Sequence, residues 1–260
     1  MYAERVTAKL VVAGVGLLAS FGAPACQAGI DEVDGAYYGG GPRRVHCSID
    51  IDSVTRNDDA SIDAGLDRAR DRGEVLELFA HDPGVTVSWD SVEHVFAGAV
   101  ARGLPFVAYG DLARGDVTGP GLAFSFDDTS VGAWTDGRAL FAKYGARLTF
   151  FVTRYDRLDP EQHAQLQQLA ADGHDIEAHS VQHLRGPVVV EAEGLAGYLA
   201  DEVQPSIDRL RADGYTITTY AYPFGARTDE TDRAILERVP ILRSVAMTWG
   251  GVIEDPCPAD

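Results

Sequence analysis

Two short segments hold the residues that can do chemistry together. Phe124-Ser125-Phe126-Asp127-Asp128 sets two adjacent acids at the close of an apolar alternation, hence at the carboxyl end of a strand. Further on, His179-Ser180-Val181-Gln182-His183 spaces two imidazoles four residues apart, so both can face one side of a single turn. One carboxylate with two imidazoles is a three-ligand set that leaves positions on a metal open for water and substrate. The acid left over can then serve as a general base. The chemistry open to this set is metal-dependent hydrolysis.

The elements that must position these residues alternate. From Arg43 onward, short apolar strands are separated by amphipathic helices, an α/β pattern. Strands are expected at 45–51, 75–80, 106–109, 122–126, 147–153, 175–178, 216–222 and 242–248. Asp159-Pro160-Glu161-Gln162 supplies a cap, a first-turn proline and a capping-box glutamine for a helix running toward Gly173. Another helix should end with Arg209 and Arg211 ahead of Gly214. Eight strands with intervening helices predict a closed or distorted (β/α) barrel, where chemistry sits at strand carboxyl ends. Asp127, Asp128, His179 and His183 all fall there.

The 260 residues are 45% hydrophobic and 24% charged, enough apolar material for a full core. A formal charge of -18 argues against nucleic acid as a partner, because phosphate binding needs lysine and arginine. Residues 1–25 read as a signal peptide: Arg5 and Lys9, an apolar run over 10–21, then the small-x-small site Ala23-Pro24-Ala25. The stretch before Cys26 resembles the lipobox of bacterial lipoproteins, with Ala23 where leucine is usual. Two readings stand: lipidation of Cys26, which would attach the protein to a membrane, or plain secretion with cleavage after Ala25 or Ala28. Either makes the protein exported: secreted, periplasmic or lipid-anchored. Cys47 and Cys257 remain as a pair for a disulfide in that oxidising compartment. Glycine-rich 26–42 reads as a tether, and 43–260 as the functional domain.

Several segments together resemble the polysaccharide deacetylases with a NodB homology domain, carbohydrate esterase family 4. Phe124 to Asp128 resembles the first motif, T/S-F-D-D. The run ending Thr149-Phe150-Phe151-Val152 resembles the strand that follows it. His179 to His183, after Gly173-His174-Asp175-Ile176-Glu177-Ala178, resembles the second motif, H-S/T-x-x-H. Ala221-Tyr222-Pro223-Phe224-Gly225 resembles the third, R-x-P-Y/F-G. The resemblance implies a distorted (β/α) barrel of the NodB type. It implies a divalent metal, zinc being the expected ion, on Asp128, His179 and His183. It implies Asp127 as base, and the Phe224 backbone N–H holding the oxyanion. Its substrate would be an acetylated polysaccharide losing N-acetyl groups. An esterase on O-acetylated glycan and a non-catalytic glycan-binding domain are the alternatives, and a monomer is expected.

This sequence departs from the family pattern twice. The third motif's arginine, which braces the base, is Ala221 here. The last motif, L-x-H, which supplies the general acid, is absent after Gly225, since no histidine lies beyond His183. An equivalent lies upstream: Glu74-Val75-Leu76-Glu77-Leu78-Phe79-Ala80-His81 resembles a strand closing in L-x-H. The strand at 45–52, which carries Asp50 and Asp52, resembles that of the fourth motif without its tryptophan. Read as 121–260 followed by 43–118, the chain regains family order, so a circularly permuted domain is expected. His81 would be the acid, with Asp50 or Asp52 on its other nitrogen. The permutation would bring Cys47 and Cys257 together across the cut.

Overall fold

The computed structural model describes residues 29–247 except Arg56, together with Cys257. The signal segment, Cys26 and Thr248 lie outside the described residues. The chain opens with strand β1 (Tyr37–Tyr38), then β2 (Val45–Asp50), helix α1 (Asp59–Arg72), β3 (Val75–Ala80), α2 (Trp89–Ala101) and α3 (Tyr109–Arg114). It continues through β4 (Gly121–Asp128), α4 (Val131–Asp136), α5 (Arg138–Tyr144), β5 (Thr149–Val152), α6 (Pro160–Ala171) and β6 (Asp175–Ala178). Last come α7 (Gly186–Tyr198), a π turn over Leu199–Val203, α8 (Gln204–Ala212), β7 (Thr219–Ala221), α9 (Asp229–Ile235) and β8 (Ile241–Met247).

Strands β4-β5-β6-β7-β8-β2-β3 are parallel neighbours in that order, and β3 pairs again with β4. The result is a closed seven-stranded parallel barrel wrapped by helices, the α/β barrel expected. Side-chain direction alternates along each strand. One parity (Leu76, Leu78, Phe124, Phe126, Phe150, Leu242) joins the main core between barrel and helices. The other parity lines the interior, with a small apolar cluster of Val75, Ala123, Phe151, Ala221 and Ile241. Polar residues fill the rest of it: His46, Ser48, Glu77, Ser125, Thr149, Glu177, Thr219 and Arg243, all buried. His46 Nδ1 lies 2.9 Å from Glu77, which also accepts from the Tyr109 hydroxyl at 2.8 Å.

Local signals held where they were strong. Asp159 caps α6 with a reciprocal capping box through Gln162, and Arg209 and Arg211 occupy the last turn of α8. Two expectations need correction. The segment 106–109 is no strand: Phe106 makes one bridge to Leu122, and Tyr109 starts α3. Asp111 closes that helix start on the Ala108 N–H, and Thr149 and Asp175 accept from the Tyr109 and Gly110 N–H groups. The tether over 26–42 is also too long. Ile30, Val33, Ala36 and Tyr37 are buried, and β1 adds an antiparallel strand to β3. Glycines suggested a linker there, but among the interspersed apolar residues Ile30 and Tyr37 pack against α1 at Gly65. A side chain at Gly65 would meet Ile30 at 2.5 Å.

Cys47 on β2 is joined to Cys257 by a disulfide, with Cα atoms 5.9 Å apart and a sequence separation of 210. A bridge closing so long a loop should stabilise by roughly 2–4 kcal/mol. Non-reducing peptide mapping should recover the Cys47–Cys257 peptide pair, and a double alanine variant should melt at lower temperature. Equal melting of the two proteins would remove the stabilising role.

Candidate active site

The carboxyl ends of β4, β6 and β3 bring together the residues singled out in the sequence. Asp127 and Asp128 close β4, and His179 follows β6 directly. Five described non-glycine residues have positive φ: Asp128 (85°), Arg154 (49°), Ser180 (66°), His183 (63°) and Phe224 (60°). Asp128 ends β4, and the other four lie just past the ends of β5, β6 and β7. Left-handed backbone costs on the order of 1–3 kcal/mol per residue and persists where surrounding structure enforces it, commonly at functional sites. Gly225 is obligatory here, because at φ +65° a Cβ would meet the Val245 backbone N at 2.9 Å.

Asp128, His179 and His183 offer one ligand atom each, all within 4.8 Å of one another. Asp128 Oδ1 lies 3.1 Å from His183 Nε2 and 3.7 Å from His179 Nε2, yet this buried oxygen has no hydrogen-bond partner. His179 Nδ1 lies 2.9 Å from the Ala221 carbonyl, which can only accept. Nδ1 therefore carries the proton, and the Nε2 lone pair faces Asp128. Burial holds His179 well below the usual imidazole range, and burial likewise lowers His183. Two neutral imidazoles and an unpartnered carboxylate oxygen converging on one point fit a divalent cation.

Asp127 is buried, and one of its oxygens accepts from the Arg243 guanidinium. Its other oxygen, Oδ1, has no protein partner. Arg243 lies on β8 level with Ala221 on β7, and stacks over Phe79 and Phe151 at 4.8 and 4.9 Å. The guanidinium missing at position 221 thus arrives from the neighbouring strand. Arg243 was not singled out in the sequence, although a charge inside the apolar run 241–247 was the available signal: a buried arginine needs a partner.

β3 pairs with β4 at Ala80↔Phe126, so His81 emerges beside Asp127. Its Nδ1 lies 2.6 Å from Asp52, which also accepts from the His81 N–H and the Thr86 hydroxyl. Of the two acids expected as partners, Asp52 takes the imidazole. Asp50 instead accepts from the Asp52 N–H and acts on His81 through its field. Burial, then the charge of Asp52, push Asp50 up to about 7. For His81, burial disfavours the charge, but the Asp52 hydrogen bond and the fields of Asp127, Asp52 and Asp50 outweigh it. The result is raised to about 9. Trp134, from α4, donates to the His81 carbonyl at 2.9 Å. Phe224, half exposed, packs its ring 4.6 Å from that of His183 and beneath the Arg185 guanidinium.

The polysaccharide deacetylase family model matches residues 114–241, which include Asp127, Asp128, His179, His183 and Phe224. His81, Asp50, Asp52 and Arg243 lie outside that span. A polysaccharide deacetylase from Bacillus cereus superposes with a TM-score of 0.57 at 14% identity, over 71% of this chain and 61% of that one. A de-N-acetylase from Aggregatibacter actinomycetemcomitans superposes at 0.52 and 16% identity, over 66% of this chain and 85% of that one. At such identities the likeness is one of fold. No curated protein matches by sequence.

The His81–Asp52 pair has a pH signature. A folded pKa raised from 6.5 to about 9 contributes stability that is complete below pH 6.5 and lost as pH rises through 9. An imidazole NMR titration should place His81 near 9, and Asp52→Asn should lower it, because burial then dominates. The variant should also lose less stability between pH 6.5 and 9 than the wild type. An unshifted His81 in Asp52→Asn would exclude Asp52 as the cause.

Proposed function

We propose, from the match of residues 114–241 to the polysaccharide deacetylase family model, that this protein is a divalent-metal N-deacetylase of an acetylated amino-sugar polymer. The observation that carries the reading is the meeting, at one barrel mouth, of a ligand set, a braced carboxylate and a protonated imidazole. Asp128, His179 and His183 would hold the ion, zinc suiting one oxygen and two imidazoles. When bound, it would supply Lewis acidity at the acetyl carbonyl and to the attacking water.

The chain's own groups divide the remaining work. Asp127, its far oxygen tied to Arg243, presents Oδ1 to take a proton from water as the water oxygen attacks the acetyl carbon. The Phe224 N–H, turned by its left-handed backbone, would hold the developing oxyanion. His81, kept protonated by Asp52, gives its proton to the departing nitrogen as the C–N bond breaks. Acetate and a free amine result. A protonated acid favours the amide over the O-acetyl ester, because an amine leaves only with a proton.

Polymer binding is supported by the rim. Val54 and Val85 follow β2 and β3 on one lip, while Leu184, Val188 and Phe224 follow β6 and β7 on the other, and all are exposed. Apolar groups on both lips suit the apolar faces of sugar rings lying across the mouth. The permuted reading is supported by β2 and β3, which precede the matched segment yet complete the barrel between β8 and β4. The export signal read at 1–25 supports action outside the cytoplasm, on an envelope or secreted glycan.

Metal-loaded protein should release acetate from N-acetylated glucosamine oligomers faster than from O-acetylated glycans. The reverse preference would make it an esterase, and no release from either would leave a binding domain. Elemental analysis should find one zinc per chain after loading, and loss of it in His179→Ala. Asp127→Asn should keep the metal and lose roughly 10²–10⁴ in turnover, the contribution of a positioned base. Near-wild-type turnover in that variant would move the base elsewhere.

A further inference from the structure

The turn that carries both histidines is itself held by one residue far along the chain. Residues 179–183 are an irregular stretch with two left-handed positions, Ser180 and His183. Such a stretch is rigid only if its backbone groups find partners. The Ser180 carbonyl accepts from the Thr153 hydroxyl at 3.2 Å, and the Ser180 hydroxyl accepts from the His183 N–H at 2.9 Å. The two middle N–H groups go to Glu202. Val181 donates to its backbone carbonyl at 3.1 Å, and Gln182 to its carboxylate at 2.8 Å. Glu202 is a buried acid.

Glu202 reaches the turn because the helix beneath it is widened. After a break at Gly194 (φ 78°), the last turn of α7, the π turn and α8 run on continuously, and the Gln204 N–H bonds back five residues to the Leu199 carbonyl. The sequence cause is Pro205. It has no N–H for the Asp201 carbonyl, and its ring crowds that carbonyl. An expanded turn relieves both and leaves Glu202 displaced toward 181–182. Single π turns recur at functional sites, and this one lies directly under the candidate ligand set.

We propose that Glu202 is a positioning residue for the metal-ligand turn, with its carboxylate fixing the separation of His179 and His183. This inference rests on the reading of Asp128, His179 and His183 as metal ligands. It requires a hydrogen-bond acceptor at position 202, not a negative charge. Glu202→Gln keeps an acceptor oxygen, and Glu202→Leu keeps the bulk without one.

The test measures zinc dissociation constants by chelator competition, with backbone amide exchange at Val181 and Gln182 in metal-free protein. Glu202→Leu should weaken zinc about 10–100-fold, as loss of a group supporting metal ligands does. Gln182 exchange should accelerate in that variant, while Val181, bonded to the backbone carbonyl, serves as reference. Glu202→Gln should stay close to wild type in both. Unchanged Gln182 exchange in Glu202→Leu overturns the proposal, whether or not the protein binds zinc. Equal zinc loss in both variants also overturns it, since charge would then be the cause. Wild-type protein that fails to bind zinc would sink the reading of the site instead, and Gln182 exchange would still decide whether Glu202 holds the turn.

Discussion

An ion pair inside the barrel, Arg243 with Asp127, is the constraint on which the site depends. Both side chains are nearly free of solvent. Removing either would leave an uncompensated buried charge, an arrangement that costs several kcal/mol. The guanidinium lies between Phe79 and Phe151, so its place is fixed by packing as well as by charge. Asp127 therefore cannot rotate freely, and one oxygen is left facing the mouth. Because Arg243 comes from β8, the pair exists only once β8 has taken its place between β7 and β2. Closure of the barrel and preparation of the candidate base are one event.

The same three-sided logic of burial, charge and hydrogen bonding gives the histidines opposite states. For His179 and His183 the loss of water outweighs the nearby Asp128 carboxylate and lowers both below the usual imidazole range, which leaves lone pairs to offer. His81 is also largely buried, but Asp52 accepts its Nδ1 proton and two further acids surround it, so it stays charged at neutral pH. The candidate ligands and the candidate acid are thereby separated by environment alone, on one face of one barrel.

Beneath this mouth the interior is polar to an unusual depth. His46, Glu77 and Tyr109 bond to one another, and Glu177 accepts from Thr218 and Thr219. Burial pushes Glu177 up to about 8, against the hydrogen bonds that it accepts. These bonds fix the strands against one another where apolar packing inside the barrel is thin, and the bulk of the apolar core lies outside, under the helices. The upper layer is thus held from below by hydrogen bonds and from outside by packing.

The sequence by itself determined the strand alternation, the α6 cap, the pairs Asp127-Asp128 and His179–His183, and the placement of these at strand ends. Each rests on short-range spacing, which a chain declares locally. Counting cysteines in an exported chain paired Cys47 with Cys257, and the resemblance added His81, because motif order can be read even when it is rearranged. What only the tertiary structure decided depends on which strands become neighbours. Arg243 replaces the arginine absent at Ala221 because β7 and β8 pair in that register. Asp52, not Asp50, holds His81 because the chain turns at the end of β2. Glu202 meets Gln182 because Pro205 widens a helix twenty residues away in sequence. Residues 30–38 pack and do not dangle because Ile30 and Tyr37 meet α1 at Gly65 and β1 pairs with β3. Pairings across strands leave no local periodicity, so the residues show their types in the sequence but not their partners.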